Sequence, residues 1–276
     1  MQQLEALVVE GMGVDVESRW GAGFLVDRYV PGTTPWSWDG VVRPVLERAG
    51  PDAVVLDLGT GDGAVLAALA PLPRRTLAQE EWWPTVGAAR DTLHPLGAGL
   101  VVARGAPDNV VRPGPDRTDA TPLPLADHLV DVVLARHEAF DAADLARLTR
   151  PGGTFVTQQV GHDETASVRA LLGLPLVRET WDAAEAVRQL VAAGWRVTDI
   201  DEARPTTRFT DVAALLAYAR TVPWQLPELV LDRDADPRAS RPALAARLEE
   251  LHATCVRDGA VTAVSHRFRV TARAPG

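Results

Sequence analysis

The sequence predicts an α/β fold built on a mainly parallel sheet, and three observations carry that prediction. Short apolar runs alternate with helical patterns from about residue 52 to residue 200, as in repeated strand–helix–strand units. Two of the runs, Val54-Val55-Leu56-Asp57-Leu58 and Val130-Asp131-Val132-Val133-Leu134, are nearly continuous in apolar residues, which suits strands covered on both faces. A glycine-rich turn follows the first run and leads into a helix, an arrangement that lets backbone approach a ligand closely.

Residues 2–11 suit a short helix. An aromatic stretch with Trp20, Phe24, Tyr29, Trp36 and Trp38 follows, broken by Pro31, Gly32 and Pro35. Residues 38–48 form a helix with Val41, Val42, Val45 and Leu46 on one side, stopped at Gly50-Pro51. Strands over 54–58, 76–78 and 100–102 then alternate with helices over 64–69 and 86–93. A Pro/Gly/Asp-rich loop, 104–117, leads to a strand at 130–134, a helix at 142–148 and a strand at 154–157. A helix over 183–193 and a strand over 195–200 complete this series. Residues 211–220 and 242–252 read as helices, and residues 266–272 alternate as an edge strand does.

Composition narrows the function. With 276 residues, 46% of them hydrophobic, the chain can bury one large core with a substantial cap. A net charge of −9 argues against a protein that grips phosphate backbones, so no nucleic-acid partner is expected. All 28 basic residues are arginine, which excludes lysine Schiff-base chemistry. Cys255 is the only cysteine, so an internal disulfide and a thiolate cluster are excluded. The six histidines show no ligand spacing, and no metal is expected. Neither a signal peptide nor a membrane-spanning run is evident, so a cytoplasmic protein without a membrane partner is expected. Nothing in the sequence sets an oligomeric state.

The strongest chemical signal is the turn Gly59-Thr60-Gly61-Asp62-Gly63 after Asp57. Gly59, Gly61 and Ala64 formally satisfy the dinucleotide pattern G-x-G-x-x-G/A. Asp57 discriminates against that reading: a carboxylate sits badly beside a pyrophosphate and well beside a cationic ligand.

These residues resemble the class I S-adenosylmethionine-dependent methyltransferases. Asp57, Gly59, Gly61 and Gly63 match the family's D-x-G-x-G-x-G pattern, and the resemblance continues in order from about residue 52 to residue 200. It implies S-adenosylmethionine as cofactor, bound along this turn with Thr60. Glu80, with Glu81 as the neighbouring alternative, would take the ribose hydroxyls, since a carboxylate suits a cis-diol. Asp119-Ala120, before Thr121-Pro122-Leu123-Pro124-Leu125, would lie against the adenine, with Asp119 accepting from its amino group. Arg136 would face the cofactor, and Arg150-Pro151-Gly152-Gly153 would be a structural turn. An indole of Trp82-Trp83 would pack on the adenosine, with core or interface packing as the alternative. The stretch 104–117 is longer and richer in proline than the family's usual link.

The resemblance also implies a Rossmann-like seven-stranded, mainly parallel sheet with an antiparallel last strand and helices on both faces. More than 60 residues separate the sixth and seventh strands, so a cap inserted between them is expected. The organisation read here is one methyltransferase domain: an N-terminal helical and aromatic segment, 1–50; a cofactor-binding core, 51–200; a substrate cap, 201–264; and a closing strand, 265–276.

A sulfonium is already a strong electrophile, so the protein needs to align an acceptor and exclude water. The acceptor site is expected from His137 and Glu138 after the fourth strand, Gln158 and Gln159 after the fifth, and the aromatics Trp20, Tyr29, Trp36, Phe209, Tyr218 and Trp224. Such a pocket suits a small organic molecule. His137 is the candidate general base, with a structural or cofactor-packing histidine as the competing reading. Arg136 and Arg208 are candidate anchors for a carboxylate, against the reading of ordinary exposed arginines. The expected activity is methyl transfer to oxygen, nitrogen or carbon of a small acceptor. The alternatives are RNA or protein methylation, and a non-methylating protein that keeps fold and cofactor.

Overall fold

Alternation with a period of two divides the central strands between two hydrophobic cores. Val54, Leu56, Leu58, Val133, Ala135 and Phe155 face one core, which helix residues Leu145, Leu148, Ala186 and Leu190 close. Val55, Val132, Leu134 and Val156 face the other, closed by Val42, Val45, Leu46, Leu66, Leu69 and Leu93. Helices cover both faces of the sheet at β2 and β5, which is why these two strands are nearly continuous in apolar residues.

A computed structural model describes residues 2–15, 22–106, 109, 121–176, 180–222, 225–229 and 242–276. In chain order its elements begin α1 (Gln2–Met12), α2 (Ala22–Leu25), β1 (Tyr29–Val30), α3 (Trp38–Ala49), β2 (Val54–Leu58), α4 (Ala64–Ala67) and β3 (Arg75–Glu80). They continue α5 (Trp83–Leu93), β4 (Gly99–Val102), β5 (Val130–Arg136), α6 (Ala142–Leu148), β6 (Thr149–Val160) and α7 (Ala166–Leu171). The last are α8 (Ala183–Ala192), β7 (Arg196–Ala203), β8 (Thr206–Phe209), α9 (Val212–Thr221), α10 (Pro242–Asp258), β9 (Val261–Val264) and β10 (Arg267–Arg273).

The chain divides into two compact units. The larger, Thr34–His162, Arg178–Ala203 and Arg267–Gly276, holds a seven-stranded sheet ordered β4-β3-β2-β5-β6-β10-β7. The ladders from β4 to β6 are parallel, and β10 is antiparallel to both of its neighbours. The chain builds outward from β2 to β4 and then crosses back to β5, so the crossover lies between β2 and β5. In open α/β sheets, ligands bind at the carboxyl ends of the strands at such a point.

Two sequence expectations change here. The closing strand is interior, not an edge. Phe268, Val270 and Ala272 are fully buried on one face, and strands pair on both sides of β10. The edge is β7, whose Asp199 and Asp201 pair with Arg269 of β10; charges on an edge strand discourage further pairing. The 150–153 turn is absorbed into β6, which starts at Thr149. The reversal survives as Gly152 at φ +75° and a register shift against β5 between Val130 and Val132.

The smaller unit, Met1–Thr33, Asp163–Val177 and Arg204–His266, contains the antiparallel sheet β1-β8-β9. Its strands of two to four residues escaped sequence reading because so short an alternation does not stand out between helical patterns. Nearly all of α9 is buried. Asp211 caps it by accepting from Ala214 N at 2.8 Å. Residues of α9, α1 and α10 share one core with β8 and β9. α10 runs past residue 252 because no breaker intervenes before Gly259, at φ +78°.

Gly11 of α1 permits close contact with α9. A Cβ there would lie 2.6 Å from the Ala213 carbonyl oxygen. Gly11→Ala is therefore expected to destabilise the protein by about 1–3 kcal/mol, the usual cost of overpacking, despite the better helix propensity of alanine. Chemical denaturation measures this; an unchanged or raised midpoint would show that the two helices can part at no cost.

Candidate functional site

The larger unit builds its site on the turn after β2. Gly59, Gly61 and Gly63 have φ of +58°, +62° and +80°, a region that glycine enters without a Cβ penalty. Two side chains from the end of β3 hold the turn. Gln79 accepts from Gly59 N through Oε1 at 3.1 Å and donates through Nε2 to the Ala103 carbonyl at 2.7 Å. Glu80 accepts from Gly61 N at 2.6 Å through Oε2, and from Glu81 N and Trp82 N at 2.9 and 2.7 Å through Oε1. Glu80 is buried, and its charge is carried by these amide dipoles. Glu81 is exposed and accepts from Gly105 N at 2.8 Å.

Carboxylates crowd the turn. Burial raises the Asp57 carboxyl from an ordinary 3.8 to about 7, opposed by Thr60, reinforced by the Glu80 charge and relieved in part by Arg136. The Thr60 hydroxyl is itself buried without a hydrogen bond of good geometry. Glu138 packs on Gly59, where an added Cβ would meet its Oε2 at 2.2 Å. Burial, then the charges of Glu81 and Glu80, raise its carboxyl from 4.5 to about 8 against a backbone hydrogen bond from Ala139. Such mutual repulsion is the environment in which a cation is most stabilised.

The exit of β5 carries the opposite sign. His137, at φ +62°, donates its backbone N–H to the Gln158 carbonyl at 2.8 Å. Gln158 is oriented by Trp36, whose indole N–H donates to Gln158 Oε1 at 2.9 Å. The amide nitrogen of Gln158 therefore faces His137 Nε2, at 3.2 Å. An amide nitrogen only donates, so His137 is neutral with its proton on Nδ1. Crowding by protein atoms, then the charges of Arg136 and Arg267, hold this imidazole well below the usual histidine range. Gln159 donates to the Glu138 carbonyl at 2.8 Å and fixes the next residue of the loop.

The structure thus brings together Asp57, Gly59, Thr60, Gly61, Gly63, Glu80, Glu81, Arg136, His137, Glu138, Gln158, Gln159 and Trp36 at the strand ends of one unit. Trp82 and Trp83 are 47% and 74% exposed, so neither indole is a core residue. Tyr29, Phe209 and Tyr218 belong to the smaller unit. They form an aromatic cluster there with ring centroids 5.0 to 5.4 Å apart, and Phe209 is a core residue. Trp20, Asp119, Ala120 and Trp224 lie outside the described residues. Sequence reasoning missed Gln79, Asn109, Asp144, Arg147 and Arg267. Asn109 clamps the Phe140 N–H and carbonyl at 2.8 and 2.7 Å. Asp144 accepts from Leu123 N, and Arg147 donates to the Leu123 and Leu125 carbonyls. The D-x-x-R spacing of Asp144 and Arg147 would place a clamp on one face of a helix, but such pairs are too common to single out.

The pH dependence follows. Asp57 and Glu138 have folded-state pKa values above their unfolded ones. The folded state then binds more protons than the unfolded state, and stability falls as pH rises toward 7–8. His137 acts in the opposite sense below its ordinary 6.5, so the loss is clearest between pH 6.5 and 8. The double variant Asp57→Asn, Glu138→Gln should flatten that slope in urea titrations. An equal slope in variant and parent would remove these carboxyls as its source.

No family model matches the chain, and no curated protein matches it in sequence. Solved structures do match. A candidate methyltransferase of Bacillus halodurans C-125 superposes with a TM-score of 0.53 at 14% identity, over 84% of this chain and 98% of that one. The YcgJ protein of Bacillus subtilis matches at 0.57 and 14% identity, over 86% and 98%. A protein of unknown function from Deinococcus radiodurans R1 matches at 0.51 and 14% identity, over 99% of both chains. With its crossover between β2 and β5 and its antiparallel β10, this chain has the class I methyltransferase fold.

Proposed function

We propose that the protein is an S-adenosylmethionine-dependent methyltransferase that acts on a small organic acceptor. The observation that carries this reading is the crowd of carboxylates, Asp57, Glu80, Glu81 and Glu138, around a glycine turn at the crossover of the sheet. A dinucleotide would bring its pyrophosphate into that field, whereas an ammonium and a sulfonium relieve it. The donor set therefore fits this cofactor and not a nicotinamide dinucleotide.

When bound, S-adenosylmethionine supplies an electrophilic methyl group. Asp57 and Glu138 hold the cationic amino-acid portion, and Gly59 and Gly61 give it room at the backbone. Glu80 sets the turn through its three amide contacts, and Glu80 or the more open Glu81 takes the ribose. The adenine would lie toward the small cavity lined by Leu58, Gly105, Ala106, Thr121 and Phe140, and Asp119 remains the proposed acceptor for its amino group. Trp36, Gln158 and Gln159 order the acceptor side. His137, with Nε2 engaged by Gln158, serves there as a hydrogen-bond donor instead of the base. Alignment and exclusion of water then supply the catalytic advantage.

Calorimetry with S-adenosylhomocysteine should show one site per chain. Gly61→Val should abolish binding, because a β-branched residue cannot hold φ +62° without strain. Comparing Glu80→Ala with Glu81→Ala assigns the ribose contact, a charged hydrogen bond worth about 1–3 kcal/mol; Glu80→Ala should also lower stability by freeing three amides. Binding of a nicotinamide dinucleotide in place of S-adenosylhomocysteine would overturn the reading.

A further inference from the structure

The smaller unit holds a cavity of its own, of about 320 Å³, a volume within the range of small-ligand sites. Leu171 at the end of α7, Leu251 in α10 and Val261 in β9 give it apolar walls. Arg208, Asp258 and Thr262 supply polar groups. All six residues belong to the smaller unit, and the glycine-turn site of the larger unit uses none of them. Arg208 is the arginine that the sequence offers as a carboxylate anchor and that the cofactor site leaves over.

The pairing of β8 with β9 sets the polar end. Arg208 stands opposite Thr262, and residues paired in this way share a face of the sheet. That face is the exposed one, because Phe209 and Val261, one step along each strand, are buried on the other. β9 is also an edge of its sheet. Ser265 N donates to the Pro205 carbonyl across the ladder at 2.8 Å. Ala263 and Val261 therefore direct their backbone groups at β8 as well, while Val264 and Thr262 direct theirs outward. Ser167 takes the outward groups of Val264, accepting from its N–H at 2.7 Å and donating to its carbonyl at 3.4 Å. Among the described residues no side chain does the same for Thr262, so its N–H is an open donor on the edge that borders the cavity.

Among the described residues Arg208 makes no ion pair and no side-chain hydrogen bond, and Asp258 has Arg257 as its partner at 2.8 Å. The cavity thus carries one uncommitted positive charge beside apolar walls. A guanidinium fork matches a carboxylate through two parallel hydrogen bonds, and a second negative charge would meet Asp258 or the hydrocarbon of the walls. We propose that this cavity binds a monocarboxylate with an apolar body. Its carboxylate rests on Arg208 and the Thr262 N–H, and its hydrocarbon lies against Leu171, Leu251 and Val261. No cofactor takes part in this binding, which therefore does not rest on the methyltransferase reading.

An NMR titration of the full chain tests this with three probes of one length: octanoate, neutral octanamide and the dicarboxylate suberate. Octanoate should move the Thr262 amide signal along a single saturation curve, and octanamide and suberate should bind far more weakly. Arg208→Gln should weaken octanoate about tenfold, a loss typical of a charge-assisted hydrogen bond, and Arg208→Lys should restore part of it. Leu171→Asp puts a charge on the apolar wall and should abolish binding. Arg208 is exposed and Leu171 is 38% exposed, so both variants should melt as the parent does. Gly61→Val, aimed at the cofactor turn, should bind octanoate as the parent does. Equal binding of octanoate and octanamide, octanoate affinity unchanged in Arg208→Gln, or no octanoate binding by the parent overturns the proposal. Loss of octanoate binding in Gly61→Val with Arg208→Gln unaffected would place the acid at the glycine turn and overturn it too.

Discussion

The site depends on the Glu80 carboxylate, which ties the end of β3 to the glycine turn after β2 through the amides of Gly61, Glu81 and Trp82. Three successive glycines at positive φ form a loop with many alternatives in the unfolded chain. A single buried carboxylate accepting both from the turn after β2 and from the residues after β3 selects one of them. Gln79 repeats the device a residue earlier, bridging Gly59 to Ala103. The loop is thus fixed from the neighbouring strand, and its own residues stay available to a ligand. The parallel register of β2 and β3, which sets Asp57 beside Ala78, makes both bridges possible.

The same crossover separates charge. Acidic groups gather where β2 and β3 end, and guanidiniums lie on β5 and β10, on either side of β6. Asp57 and Glu138 have carboxyl pKa values raised to about 7 and about 8, burial with the Arg267 charge lowers the Arg136 pKa, and Arg269 pairs with Asp199 and Asp201. Perturbed groups gathered at the ends of a sheet crossover are the usual mark of a working site.

Much of the larger unit is legible in the sequence, because buried parallel strands and their crossover helices impose strong periods. β2 and α6 match their expected bounds, 54–58 and 142–148. The interior position of β10 was hidden because an alternating strand looks the same whether one or both of its edges are paired. The smaller unit was harder to read. Its sheet consists of strands of two to four residues drawn from both ends of the chain, and no local pattern records such pairing. Within the site, Asp57, the glycines and Glu80 stand out through spacing, but Arg267 lies far along the chain and joins them only through the antiparallel register of β10. The tautomer of His137 was beyond sequence reading too, since it follows from the orientation of Trp36 and Gln158.

The account turns on a cationic ligand seated on the glycine turn, and a crystal structure of the protein with S-adenosylhomocysteine tests that most directly. The predicted result is the amino group within hydrogen-bonding distance of Asp57 or Glu138, the ribose at Glu80 or Glu81, and the sulfur directed toward the β5 exit at His137. Ligand bound elsewhere, or bound with its carboxylate against Asp57 and its amino group turned to Arg136, would contradict the account.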